Sequence, residues 1–327
     1  MNPVRFFQRP YPSANSVLLV GSRPVLVDSG YGADVQALLA WITSNGVPPN
    51  RLSLVVNTHF HCDHAGGNHI LQRGHGAVIA GEAGEATLVN GRDRDACRAE
   101  WLQQPIEPYD VLRPLRDGDQ VGTGEVAWTV VATPGHTLGH ISLHAPEYGV
   151  LVLGDALHKA DIGWLNPYRE GSNSLERSAE TLERLAMLGA QVGYSGHGPP
   201  ITDLPAAFAH ARRRLQTWRQ DPTRIAWHAC KRIFAHTLIV SGGMTEEALP
   251  GVLLASPWFV DHATLGFATL PAEFVQRLVA EMLRGDAARW QDGRLMANAP
   301  HTPPPSSPWA SGPTRVADWP AALKLAR

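Results

Sequence analysis

A layered α/β fold followed by a mostly helical region is what this 327-residue chain predicts, and three observations carry the prediction. Short β-branched runs alternate with amphipathic helical stripes over about the first two hundred residues, the pattern of strands covered by helices. Histidines and aspartates fall just past the ends of several of those runs: His59, His61, Asp63 and His64 first, then His136, Asp155 and His197. After Gly198-Pro199-Pro200 the texture changes to longer helical stripes that close on an Asp292-Gly293 turn.

Ser16 to Val20 and Arg23 to Val27 read as two strands joined at Gly21-Ser22, and Asp28-Ser29-Gly30 follows the second. From Ala33 to Asn45, Val35, Leu38, Leu39 and Ile42 form the stripe of a helix that Gly46 and Pro48 end. Residues 52 to 57 form the next strand, and a short helix is expected from Asp63 to about Gln72. A strand at Ala77 to Ala80 and a helix over Glu82 to Val89 repeat the unit. Residues 91 to 110, with Arg92, Asp93, Arg94, Asp95 and Arg98 in mixed sign, read as a solvated face.

The second half is strand-rich, at Gln120-Val121, Val126 to Ala132, Ile141 to Ala145 and Val150 to Leu153, before a helix from Ser174 to Leu188 and a strand from Gln191 to Tyr194. Four helical stripes follow, Pro205 to Arg219, Arg224 to Ser241, Thr245 to Leu254 and Ala272 to Leu283, and then a hairpin over Arg289 to Met296. Helices followed by a hairpin resemble a winged-helix module. The expected division is therefore 1–205, 206–298 and an extended, Pro-rich tail at 299–327.

Composition narrows the function classes. The chain is 44% apolar and 18% charged, with a formal charge of −2, so no whole-protein field draws it to nucleic acid or anionic membrane. Cys62, Cys97 and Cys230 form no disulfide framework, and neither a signal-peptide core nor a run of membrane-spanning length is evident, so a cytoplasmic location is expected. A Gly-x-Ser-x-Gly nucleophile elbow is also missing, which argues against covalent serine chemistry.

Three histidines and an aspartate within six positions, His59 to His64, point to a metal cradle. In extended chain His59, His61 and Asp63 share a face, and Phe60 and Cys62 take the other. Imidazole with carboxylate suits zinc, iron, manganese or cobalt better than calcium or magnesium, which prefer all-oxygen sites. Past Asp155 runs a long connection whose length is that of a lid or binding loop, and His158, Trp164, Tyr168 and Arg169 on it are candidate substrate contacts.

His59-x-His61-x-Asp63-His64 resembles the signature of the metallo-β-lactamase fold superfamily, in its two-metal hydrolase branch. Thr133-Pro134-Gly135-His136, Leu153-Gly154-Asp155 and Ser195-Gly196-His197 match its later motifs in order, over residues 1 to about 205. The resemblance implies an αββα sandwich in which His59, His61 and His136 hold one divalent ion, Asp63, His64 and His197 hold a second, and Asp155 spans both. It also implies that Asp28 supports the site from behind. Zinc is the first expectation for the two ions, with iron or manganese next. A hydroxide shared between the ions would attack an acyl or phosphoryl centre. Asp63, which could relay the proton, and Asp155 are the catalytic candidates.

The expected substrate is a small ester, lactone or thioester. Gly198 stands where the family's glutathione-thioester hydrolases carry a glutamate. The alternative is a phosphodiesterase or ribonuclease using Arg212, Arg213, Arg214, Arg219, Arg224, Lys231 and Arg232, with Trp218 and Trp227 interleaved. A mononuclear-iron persulfide dioxygenase and a non-catalytic binding protein rank lower. The partner expected first is a small molecule, then a second copy of the chain through the carboxy-terminal helices; nucleic acid is less favoured.

Overall fold

A computed structural model describes residues 3–104 and 106–302. Strands β1 (Val4–Phe7), β2 (Ser16–Leu19) and β3 (Val25–Val27) run antiparallel, and β4 (Leu54–Val56), β5 (Ile79–Glu82) and β6 (Val111–Leu115) extend the sheet in parallel, in that spatial order. A second sheet holds β7 (Gln120–Gly122), β8 (Ala127–Ala132), β9 (Ile141–Ala145) and β10 (Val150–Gly154) as antiparallel neighbours. At its edge β11 (Val192–Ser195) lies parallel to β10. The strand β6 was not expected from the sequence.

Side-chain alternation stacks these sheets. Val17, Leu19, Val25, Val27 and Val56 of the first sheet share a core with Trp128, Val130, Leu143 and Val152 of the second. Leu18, Leu26 and Val55 point the other way, towards α1 (Val35–Ser44) and its neighbours. The helix expected from Asp63 to Gln72 is two, α2 (Cys62–Ala65) and α3 (Asn68–His75), broken at Gly66-Gly67. Position 66 has room only for glycine: a Cβ there would lie 2.4 Å from the Gly32 nitrogen and 2.5 Å from the Cys62 carbonyl oxygen. Helix α4 (Ala83–Gly91) completes this outer layer.

Residues 91 to 110 correct the expected solvated face. Arg92 and Arg98 are buried, and Arg98 donates to the Glu170 carboxylate at 2.9 and 2.7 Å. Trp101 and Leu102 of α5 (Ala99–Leu102) are buried as well. On the far side of the sandwich, Val131, Leu151 and Leu153 pack against α6 (Ser174–Met187) and α7 (Leu204–Gln220).

The remaining elements are α8 (Thr223–Ser241), β12 (Met244–Thr245), α9 (Ala248–Leu254), α10 (Pro257–Asp261), α11 (Pro271–Arg284), β13 (Ala288–Gln291) and β14 (Arg294–Ala297). β14 lies between β12 and β13, so the hairpin closes back onto the strand between the helices, a winged-helix-like order. Phe234, Trp258, Phe259, Phe274 and Leu278 form its core, and Trp101 and Leu102 of α5 join it. No helix among the described residues is long and apolar enough to cross a membrane. The tail expected at 299–327 falls, from 303 on, outside the described residues. The start of that stretch reaches the amino-terminal segment, where the Thr302 N–H donates to the Tyr11 carbonyl at 2.8 Å.

Candidate metal centre

Strand ends deliver the clustered residues to one edge of the sandwich. β4 leads into His59, His61, Asp63 and His64; the turn after β8 carries His136; β10 ends at Gly154 before Asp155; and β11 ends at Ser195 before His197. Nε2 of His59 lies 3.0 Å from Nδ1 of His61, which lies 3.0 Å from Nε2 of His136. Beside this trio, His197 Nε2 is 3.3 Å from Asp63 Oδ2. Asp155 sits between the two groups, with Oδ1 3.4 Å from His64 Nε2, and Oδ2 3.7 Å from both His136 Nε2 and His197 Nε2. A Cβ on Gly196 would lie 2.2 Å from Asp155 Oδ1, so only glycine leaves that carboxylate its place.

A second ring of hydrogen bonds aims these groups. The Asp28 carboxylate accepts from the Thr58 N–H, the Thr58 hydroxyl and His64 Nδ1, each at 2.8 Å, leaving His64 Nε2 to face Asp155. His136 Nδ1 donates to the Trp164 carbonyl at 2.6 Å, and Thr58 Oγ1 lies 3.2 Å from His59 Nδ1. His140 accepts the Asp155 N–H through Nε2 at 3.0 Å, while its Nδ1 meets Thr133 Oγ1 at 2.7 Å. The turn after His136 is held by Glu85, which accepts from Thr137 Oγ1, and by Glu170, which accepts from the Leu138 N–H.

Geometry and electrostatics both fit a divalent cation. Nitrogens about 2.0–2.1 Å from one zinc ion in tetrahedral array lie roughly 3.3 Å apart, close to the spacing of His59, His61 and His136. Burial first, then the neighbouring imidazoles, holds His59 and His61 well below the usual histidine range, so both are neutral. Burial alone would raise Asp63 and Asp155, yet His64 and His197 hold both carboxyls low, as anions. Asp155 Oδ1 and His64 Nε2 are buried and face each other at 3.4 Å, and among the described residues neither makes a well-formed hydrogen bond. A buried carboxylate oxygen with so loose a partner is costly unless a cation meets it more closely. Three groups, His59/His61/His136, His59/His64/Asp155 and Asp63/His64/His197, place their ligand atoms within 4.8 Å of one another.

The cluster opens on a cavity of about 510 Å³. Of the loop residues expected at substrate, His158 and Trp164 line it; Trp164 stacks on His61 at 5.2 Å. Tyr168 and Arg169 are not among the residues lining it. Arg169 instead pairs with Asp261 at 2.8 Å, and Tyr168 packs edge-on against His262, both tying the loop to the carboxy-terminal helices. The opposite wall holds Tyr11, whose ring stacks on His197 at 4.8 Å, and three residues that the sequence did not point to as cavity lining, Gln104, and Arg232 and His236 of α8. Spacing four apart on a helix was the available signal for the last two, but nothing local marks which helix face covers a distant loop.

Comparison with known proteins agrees with this layout. The metallo-beta-lactamase superfamily model matches residues 10–197. Over 193 residues the chain is 33% identical to a hydroxyacylglutathione hydrolase of Ectopseudomonas mendocina (strain ymp), covering 59% of this chain and 62% of that protein. It is 31% identical over 196 residues to an acyl-coenzyme A thioesterase of Gallus gallus, covering 52% of this chain and 68% of the other. The chain spans less than two thirds of the length of the first hydroxyacylglutathione hydrolases it matches. A solved metallo-beta-lactamase family protein from Thermus thermophilus superposes with a TM-score of 0.58 over 91% of this chain and 99% of that one, at 23% identity, a likeness of fold.

Proposed function

Because the chain belongs to the metallo-beta-lactamase superfamily, we propose that it is a metal-dependent hydrolase of a small-molecule acyl bond, a thioester first, an ester or lactone next. The observation that carries this reading is the convergence of imidazoles and buried carboxylates at one end of the cavity. The names of the relatives, acylglutathione and acyl-coenzyme A hydrolases, favour the thioester.

In this reading His59, His61 and His136 would hold one divalent ion, Asp63, His64 and His197 would hold a second, and Asp155 would serve both, with zinc proposed first. Bound there, the ions would supply Lewis-acid chemistry towards an acyl carbonyl and activation of water near neutral pH. The chain's own part is positional. Asp28 and the Trp164 carbonyl fix which imidazole nitrogen faces the cavity. Asp63 Oδ2, beside His197, accepts and passes on a proton. Trp164, against His61, keeps water from one side of the floor.

Support for a phosphate-tracking surface is weak. Arg212 pairs with Glu183, Arg214 and Arg232 with Asp161, Arg224 with Asp221, and Lys231 with Glu281, so these cations are already matched by carboxylates. The test is the initial rate of metal-quantified protein on an acyl thioester, a lactone and a phosphodiester, with His59→Ala as control. Acyl turnover lost in the variant is expected; phosphodiester turnover alone would overturn the proposal.

A further inference from the structure

The cavity has two unlike ends, and α8 runs along both. Arg232, Ala235, His236 and Ile239 recur three and four apart, so one face of that helix lines the cavity. At the Arg232 end, the guanidinium meets Asp161, which also takes Arg214 at 3.1 Å and His228 at 3.1 Å, and Lys159 lines the space beside it. Seven residues on, about 10 Å along the helix at 1.5 Å per residue, Ile239 is buried in an apolar cluster with Leu102 and Ile233, against which Trp164 and Ala235 pack. Trp164 also stacks on His61. An apolar wall, interrupted by the Gln104–His236 pair at 3.1 Å, therefore leads away from the candidate metal centre, built by α5 and by a helix that lies beyond the family match at residues 10–197.

We propose that this wall seats the acyl group of the substrate, and that the group is an extended apolar chain. The inference rests on the hydrolase reading only for the word substrate; the wall's preference for apolar ligands is a property of its residues. An alkyl chain laid along Trp164, Ile233 and Ile239 leaves water for a surface of apolar side chains, while the neighbouring Gln104 and His236 hydrogen-bond to each other at 3.1 Å. The charged end at Arg232, Asp161 and Lys159 offers no such surface, so the chain points towards Ile239.

Calorimetric titration of the metal-quantified protein with acetate, butanoate, hexanoate and octanoate reads the wall without turnover, since the four share one head group. Burial of each methylene is worth about 0.8 kcal/mol, or about fourfold in affinity, so Kd is expected to fall roughly two- to fourfold per added methylene where burial is partial to complete. The same slope is expected in kcat/KM for the matching acyl thioesters. Ala235→Leu, which fills the wall, should flatten both slopes. A Kd that does not change with chain length overturns the proposal. A slope in carboxylate binding with no thioester turnover supports the apolar seat and removes the thioester reading; turnover that ignores chain length does the reverse.

Discussion

Replacing Asp28 with asparagine keeps the side chain's shape but turns one acceptor oxygen into a donor, and either placement of that donor disturbs a hydrogen bond now made. Oδ1 accepts from the Thr58 N–H; Oδ2 accepts from both the Thr58 hydroxyl and His64 Nδ1. In one orientation the new amide opposes a backbone N–H. In the other it faces His64 and drives the ring proton from Nδ1 to Nε2, the atom aimed at Asp155. Loss of such an outer partner typically costs 10–100-fold in metal affinity, or about 1.4–2.7 kcal/mol. In the metal-free protein, a buried donor without an acceptor costs about 1–3 kcal/mol. Competition with a chromophoric chelator reads the first quantity and the urea midpoint the second. Asp28→Asn is expected to weaken the site of Asp63, His64 and His197 by at least tenfold. Unchanged affinity for both ions would refute the claim that Asp28 sets the His64 tautomer.

Other consequences can be measured on the metal-free protein. Burial, with Glu170 and Glu82 nearby, raises the Glu85 carboxyl to about 8, against the opposing pull of Thr137 and Arg98. The folded state then holds a proton that the unfolded chain releases near the ordinary value of 4.5. Stability from this group is complete below about 4.5, falls as pH rises and is gone above about 8, by at most about 4–5 kcal/mol. Urea unfolding at stepped pH should show that fall in the wild type and not in Glu85→Gln. Glu170→Gln leaves the buried Arg98 without its close carboxylate, for a cost of about 3 kcal/mol; adding Arg98→Met should recover part of it, as a double-mutant cycle in denaturant would show. Gly66→Ala brings a methyl against the Gly32 and Cys62 backbones and should lower stability by about 1–3 kcal/mol in thermal unfolding.

What could be read from the sequence was local or periodic. His59 to His64 stood out as a candidate metal cradle because its chemistry is packed into six positions, and the strand-end placement of His136, Asp155 and His197 followed from recognisable strands. The stripes of α1, α6 and α11 gave those helices almost to the residue. The misses were long-range. Arg92 and Arg98 look like surface charges until Glu170, 72 residues past Arg98, is placed beside it. Gly66-Gly67 sits inside a helical pattern, and nothing local shows that the Gly32 backbone passes close to Gly66. Tyr168 and Arg169 belong to the expected lid, but Asp261 and His262, about ninety residues on, draw them away from the cavity. The α8 wall was hidden for the same reason, because a helix's sequence states its face and not what that face covers.

Stepwise addition of Zn²⁺ to the metal-free protein, with acyl-thioester turnover followed at each step, tests most directly the proposal that His59, His61, Asp63, His64, His136, Asp155 and His197 hold two divalent ions for acyl-bond hydrolysis. Turnover should appear with loading and level off at about two ions per chain, and Asp155→Ala should abolish it. Turnover that is full without added metal, or that Asp155→Ala leaves untouched, would contradict the account.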